Sequence, residues 1–145
     1  MRVFMDANVL FAASISPEGR SAALFALAQR GACTLLTSAH AAAEARRNLE
    51  GRYPEALGRF EEITQPLTIV REAPSRRVSW ASLQGLPDED APILAAAAAA
   101  AADILVTGDR SHFGHLFGRT LEGVRVLTLA DTLALLARQR GAEAK

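Results

Sequence analysis

A chain of 145 residues suits one domain, and a hydrophobic content of 50% is enough for a packed core, which excludes global disorder. Lys+Arg and Asp+Glu are both 16, so there is no general attraction to nucleic acid; any RNA binding must come from local arginines or from metal ions that offset local acid. The single cysteine, Cys33, excludes an intramolecular disulfide and a cysteine-built zinc site, and it reads as a buried small hydrophobe.

Residues 2–5 read as a short buried strand ending at Asp6. That apolar start is too short for a signal peptide. The longest apolar run, within residues 91–102, is too short to span a bilayer, so a cytoplasmic protein is expected. Helices are predicted over 7–14 and 20–30, parted by Ser16-Pro17-Glu18-Gly19. Ala23, Leu24, Leu27 and Ala28 share one face of the second, and Gly31 follows as its C-terminal cap. A strand over 33–37 leads to Ser38, which caps a helix over 39–51. Pro54 opens a fourth helix, and residues 67–70 form a third strand. Residues 72–86 read as a loop with a short helix.

A long helix is predicted from about Asp90 to Ala102, because its eight consecutive alanines are the strongest helix formers. Strands over 104–107 and 124–127 follow, then a closing amphipathic helix over 129–140 with Leu129, Leu133 and Leu136 on one side. Residues 1–140 form one domain and 141–145 a tail. Alternating strands and helices predict an α/β fold, a parallel sheet of about five strands covered on both faces. Leu10, Phe11, Leu24, Phe25 and Leu27 exceed what one face of short helices buries, so a homodimer is expected.

In open parallel sheets, ligands bind beyond the C-terminal strand ends. Asp6 follows the first strand and Asp109 the fourth. Asp90 starts the alanine helix, and Glu44 lies in the helix that leaves the second strand. Each has a plainer reading: Asp6 and Asp90 as helix caps, Asp109 as a turn residue, Glu44 as a partner of Arg47. Converging, the four carboxylates would repel one another unless a divalent cation joined them. Oxygen ligands without cysteine select a hard ion, Mg²⁺ or Mn²⁺. His112 with His115, and His40 with Glu44, have the spacing of softer-metal pairs, but polar contacts read better.

The segments Phe4-Met5-Asp6-Ala7-Asn8-Val9-Leu10, Glu44-Ala45-Arg46-Arg47-Asn48-Leu49, Asp90-Ala91-Pro92-Ile93-Leu94 and Val106-Thr107-Gly108-Asp109-Arg110 resemble the PIN domain family. They resemble especially the bacterial members that act as toxins in toxin–antitoxin pairs. The resemblance covers residues 2 to about 130. It implies a Rossmann-like sheet and metal-dependent endoribonuclease activity on Asp6, Glu44, Asp90 and Asp109, leaving 5′-phosphate and 3′-hydroxyl ends. Asp6 and Asp109 are then the primary metal ligands, Asp90 a ligand directly or through water, Glu44 orients the attacking water or binds through a water, and Asn8 and Thr107 are supporting polar neighbours.

Many members carry a further acid after the last aspartate; here that stretch is Ser111-His112-Phe113-Gly114. Ser111 adds no charge, so one tightly held ion and a weaker second one are expected. Arg46, Arg47 and Arg110 are candidate RNA contacts. An antitoxin partner would place an Arg or Lys in the acidic cleft. The competing reading is a non-catalytic RNA- or metal-binding module. A nucleotide-binding protein is disfavoured, since no glycine-rich phosphate loop follows the first strand.

Overall fold

Strands this apolar on both sides need helices on both faces of their sheet. The computed structural model describes residues 1–143. Its strands are β1 (Arg2–Met5), β2 (Thr34–Ser38), β3 (Thr68–Val70), β4 (Ile104–Val106), β5 (Thr120–Leu121) and β6 (Val124–Leu127). Its helices are α1 (Ala7–Ile15), α2 (Arg20–Gln29), α3 (Ala39–Arg52), α4 (Leu57–Thr64), α5 (Ser75–Ser82), α6 (Ala91–Ala99), α7 (Arg110–Phe113) and α8 (Leu129–Glu143). The strand order is β3-β2-β1-β4-β6-β5, parallel except for β5 against β6.

Alternation along each strand separates two cores. Phe4, Leu36, Leu105 and Val126 stand in register across the sheet and face α5 and α6, where Ala81, Ile93 and Ala95 to Ala98 pack on them. Val3, Met5, Leu35, Ile104, Val106 and Leu127 face the opposite way, toward Leu10, Leu24, Leu49, Phe60 and Leu136. Alanine lets α6 lie close to the sheet with its whole middle buried.

The alanine helix stops at Ala99, not at Ala102 as propensity predicts. Ala101 turns left-handed (φ 55), and the N–H groups of Ala101 and Ala102 donate to the carbonyls of Ala98 (3.1 Å) and Ala97 (3.0 Å). This is a Schellman end. Pairing overrides propensity here, because Asp103 N–H must donate to Arg2 O (2.8 Å) as β4 joins β1. The helix α2 ends in the same motif at Gly31 (φ 82), as the sequence predicts.

The sixth strand, β5, is new relative to the sequence reading. It folds back on β6 through Glu122 (φ 50) and Gly123 (φ 84), a type I′ turn, and two residues carry no readable alternation.

The apolar residues expected to drive dimerisation are largely absorbed at home. Leu10 and Leu24 are fully buried, and Phe11, Phe25 and Leu27 pack half-buried against the second core. The last helix runs through Glu143, and of the expected tail residues 144 and 145 lie outside the described residues. Among the described residues, no helix is long and apolar enough to cross a membrane.

Candidate metal centre

The order β3-β2-β1-β4 reverses direction between β1 and β4, and this is where open α/β sheets bind ligands. Asp6 lies one residue beyond β1 and Asp109 three beyond β4. Asp6 Oδ1 accepts from Ala7 N–H (2.7 Å), capping α1. Its Oδ2 accepts from the Thr107 hydroxyl (2.8 Å) and from Asn8 Nδ2 (3.3 Å). Thr107 Oγ1 also accepts from Asn8 Nδ2 (3.2 Å) and from Asp109 N–H (3.1 Å), and Asn8 Oδ1 accepts from Gly108 N–H (2.9 Å). Asn8 and Thr107 thus hold the two strand-end aspartates in one network. Asp109 Oδ1 caps α7 by accepting from His112 N–H (3.0 Å). The cap reading of Asp6 is therefore compatible with the site reading, and Asp109, read from sequence as a turn residue, is the cap of α7.

Asp90 is different. It occupies the N-cap position of α6 but makes no side-chain cap bond. Its backbone is already helical (φ −97, ψ −24), whereas a capping side chain needs an extended backbone to fold back. The carboxylate points into the cavity instead. Only 6% of Asp90 is exposed, and its Oδ2 is buried without a hydrogen-bond partner. His112 Nδ1 lies 2.6 Å from that oxygen, a charge contact without hydrogen-bond alignment.

Glu44 faces the same cavity from α3, one helical turn from Asn48 and two from Arg52. The cavity, about 270 Å³, is lined by Asp6, Asn8, Glu44, Asp90 and Asp109 and also by Phe11, Asn48, Arg52, Glu89 and His112.

A family model for the PIN domain matches residues 2–111. The chain belongs to the PIN domain family. Solved structures of similar fold include VapBC2 from Rickettsia felis, bound to a DNA fragment from its promoter. It is 15% identical, with 88% of this chain and 98% of that chain covered and a TM-score of 0.68. PAE2754 from Pyrobaculum aerophilum is 20% identical, with 95% and 99% covered and a TM-score of 0.66. VapBC-1 from nontypeable Haemophilus influenzae is 16% identical, with 90% and 99% covered and a TM-score of 0.57. No curated protein matches the sequence.

Not every candidate in this PIN domain reaches the cavity. Arg46 pairs with Glu61 and lies over the Phe60 ring, while Arg47, Arg110 and Ser111 are exposed and outside the cavity lining. The arginine that does line it is Arg52, stacked on Phe11 (5.3 Å) and Tyr53 (5.5 Å). Sequence reasoning missed Asn48 and Arg52, although their spacing of four and eight from Glu44 on one helix was a usable signal. It also passed over Glu89 and did not place His112 in the cavity. His115 and His40 make polar contacts, the reading preferred over softer-metal pairs: His115 Nε2 meets Gln84 O (2.7 Å), and His40 Nε2 meets Glu89 O (2.9 Å).

Electrostatics in this PIN domain follow from burying acids together. Burial, aided by the charges of Glu44 and Asp109, raises Asp6 to about 6, against the opposing bonds from Thr107 and Ala7. Burial and Asp90 raise Glu44; burial, Asp6 and Asp109 raise Asp90. His112 loses some solvation, yet the charges of Asp109 and Asp90 outweigh that and raise its pKa. Five converging carboxylates and one orphaned buried carboxylate oxygen fit a divalent cation.

Proposed function

We propose that this PIN domain is a metal-dependent endoribonuclease and the toxin of a bacterial toxin–antitoxin pair. The observation that carries the reading is the convergence of Asp6, Glu44, Asp90 and Asp109 in one cavity at the switch point. Asp6, Asp90 and Asp109 are the ligands for Mg²⁺ or Mn²⁺, with Asn8 and Thr107 holding Asp6 and Asp109 in place. When bound, such a cation supplies Lewis acidity and offsets phosphate charge.

Glu44, half-buried on α3, orients a water for in-line attack on phosphorus. The P–O3′ bond breaks, leaving a 3′-hydroxyl and a 5′-phosphate. Arg52 grips the RNA backbone, since among the described residues it has no carboxylate at ion-pair distance and its guanidinium is already braced by two aromatic rings.

Likeness to VapBC2 and VapBC-1 supports an antitoxin partner, and a cationic side chain from it would fit the acidic cavity. The reading includes a cytoplasmic location and a homodimer, with Ile15 exposed at the end of α1. The deciding experiment incubates purified protein with structured and single-stranded RNA, with EDTA and then with added Mg²⁺ or Mn²⁺. Metal-restored cleavage is expected. RNA binding without cleavage under every condition would leave a non-catalytic RNA- or metal-binding module.

A further inference from the structure

We propose that His112 makes this cavity a mixed nitrogen–oxygen metal centre that prefers Mn²⁺ to Mg²⁺. The proposal rests on the cavity being a divalent-metal site, and it concerns the donor that sets which ion the site takes. Glu89, Asp90 and His112 each offer a ligand atom, and these atoms all lie within 4.8 Å of one another. His112 Nδ1 is 2.6 Å from Asp90 Oδ2 and 3.0 Å from Asp109 Oδ2, so the ring nitrogen sits among the carboxylates.

Its placement is built into the fold. The backbone His112 N–H donates to Asp109 Oδ1 (3.0 Å), and the next residue, Phe113, is fully buried, so the backbone that carries the ring is held at the cavity edge. The His40 ring at Glu89 O (2.9 Å) ties the Glu89–Asp90 turn to α3. The buried Asp90 Oδ2 has a nitrogen beside it but no hydrogen bond. A cation coordinated by both atoms would satisfy that oxygen and use the imidazole as a neutral donor.

Mg²⁺ demands oxygen ligands and gives up its waters reluctantly. Imidazole suits Zn, Cu, Fe and Ni best, and Mn²⁺ sits at the oxygen-preferring end of that transition series. As a larger and softer d-block ion it still accepts one nitrogen donor more readily than Mg²⁺ does. Among the described residues one imidazole reaches the cluster, because His115 is directed to the Gln84 carbonyl and His40 to the Glu89 carbonyl.

The test titrates Mn²⁺ into wild type, His112→Ala and His112→Asp. Free Mn²⁺ is read by electron paramagnetic resonance, Mg²⁺ by competition, and nitrogen hyperfine coupling by pulsed measurement on the bound ion. Wild type should show nitrogen coupling and hold Mn²⁺ about tenfold more tightly than Mg²⁺. His112→Ala should lose the coupling and about tenfold in Mn²⁺ affinity, with Mg²⁺ affinity changed by less than about twofold. His112→Asp should bind both ions with the preference gone. Bound Mn²⁺ without nitrogen coupling in wild type, or an unchanged preference in His112→Ala, overturns the proposal and leaves the metal cavity standing. Failure of all three proteins to bind either ion removes both.

Discussion

Asp6 is 3% exposed, and burial lifts its pKa from 3.8 to about 6. A carboxyl whose folded pKa is raised binds its proton more tightly in the folded state. That stabilisation is complete below 3.8 and is lost as pH rises through about 6. Glu44 and Asp90 shift the same way, and the raised His112 likewise loses its contribution as pH rises through its folded pKa. Metal-free protein should therefore melt higher near ~pH 5.5 than near ~pH 8, with Asp6 alone worth up to about 3 kcal/mol. Calorimetry in EDTA checks this. Asp6→Asn should flatten the dependence and raise Tm at the higher pH. It should also abolish RNA cleavage, as should Asp109→Asn, because Asn keeps size but loses charge. Circular dichroism separates the outcomes: a variant that unfolds marks its aspartate as a structural cap first, and one that still cleaves with added Mg²⁺ removes that residue from the site.

Among the elements, α6 shows how tertiary pairing corrects propensity. The run Ala95 to Ala102 reads as continuous helix, yet the chain leaves it at Ala101 in a conformation that disfavours any Cβ. Ala101→Gly should stabilise the protein by about 1 kcal/mol, measured by urea unfolding. At the equivalent position of α2, Gly31→Ala should cost about 1 kcal/mol; a gain there would mean that the left-handed end is not what the native state needs. Further up α6, Ala96 is fully buried against the sheet face that carries Phe4 and Leu105. Ala96→Leu should cost about 1–3 kcal/mol by overpacking, and a neutral result would show the helix can stand off the sheet. The helix α3 was readable for Glu44 but not for its partners, since the reading followed the acid and not the face it shares with Asn48 and Arg52.

At the level of the whole molecule, a ligand that binds only the folded state raises its stability. A divalent ion at a hundred times its Kd should add about 2.7 kcal/mol, seen as a higher Tm. An ion that leaves Tm unchanged at saturation is not bound at a folded site. The α/β class, the Gly31 cap, the Ser38 cap and the strand-end positions of Asp6 and Asp109 were legible in the sequence, because each depends on local patterning or on chain order. Chain order cannot say which strands become neighbours. Only the tertiary structure put β1 beside β4 and so brought Asp6 and Asp109 into one hydrogen-bond network through Asn8 and Thr107. It also turned Arg46 away toward Glu61 and brought Arg52 and His112 to the cavity. The physical reason is that a side chain's local periodicity states which way it leaves its own element, while its partners depend on how distant elements pack.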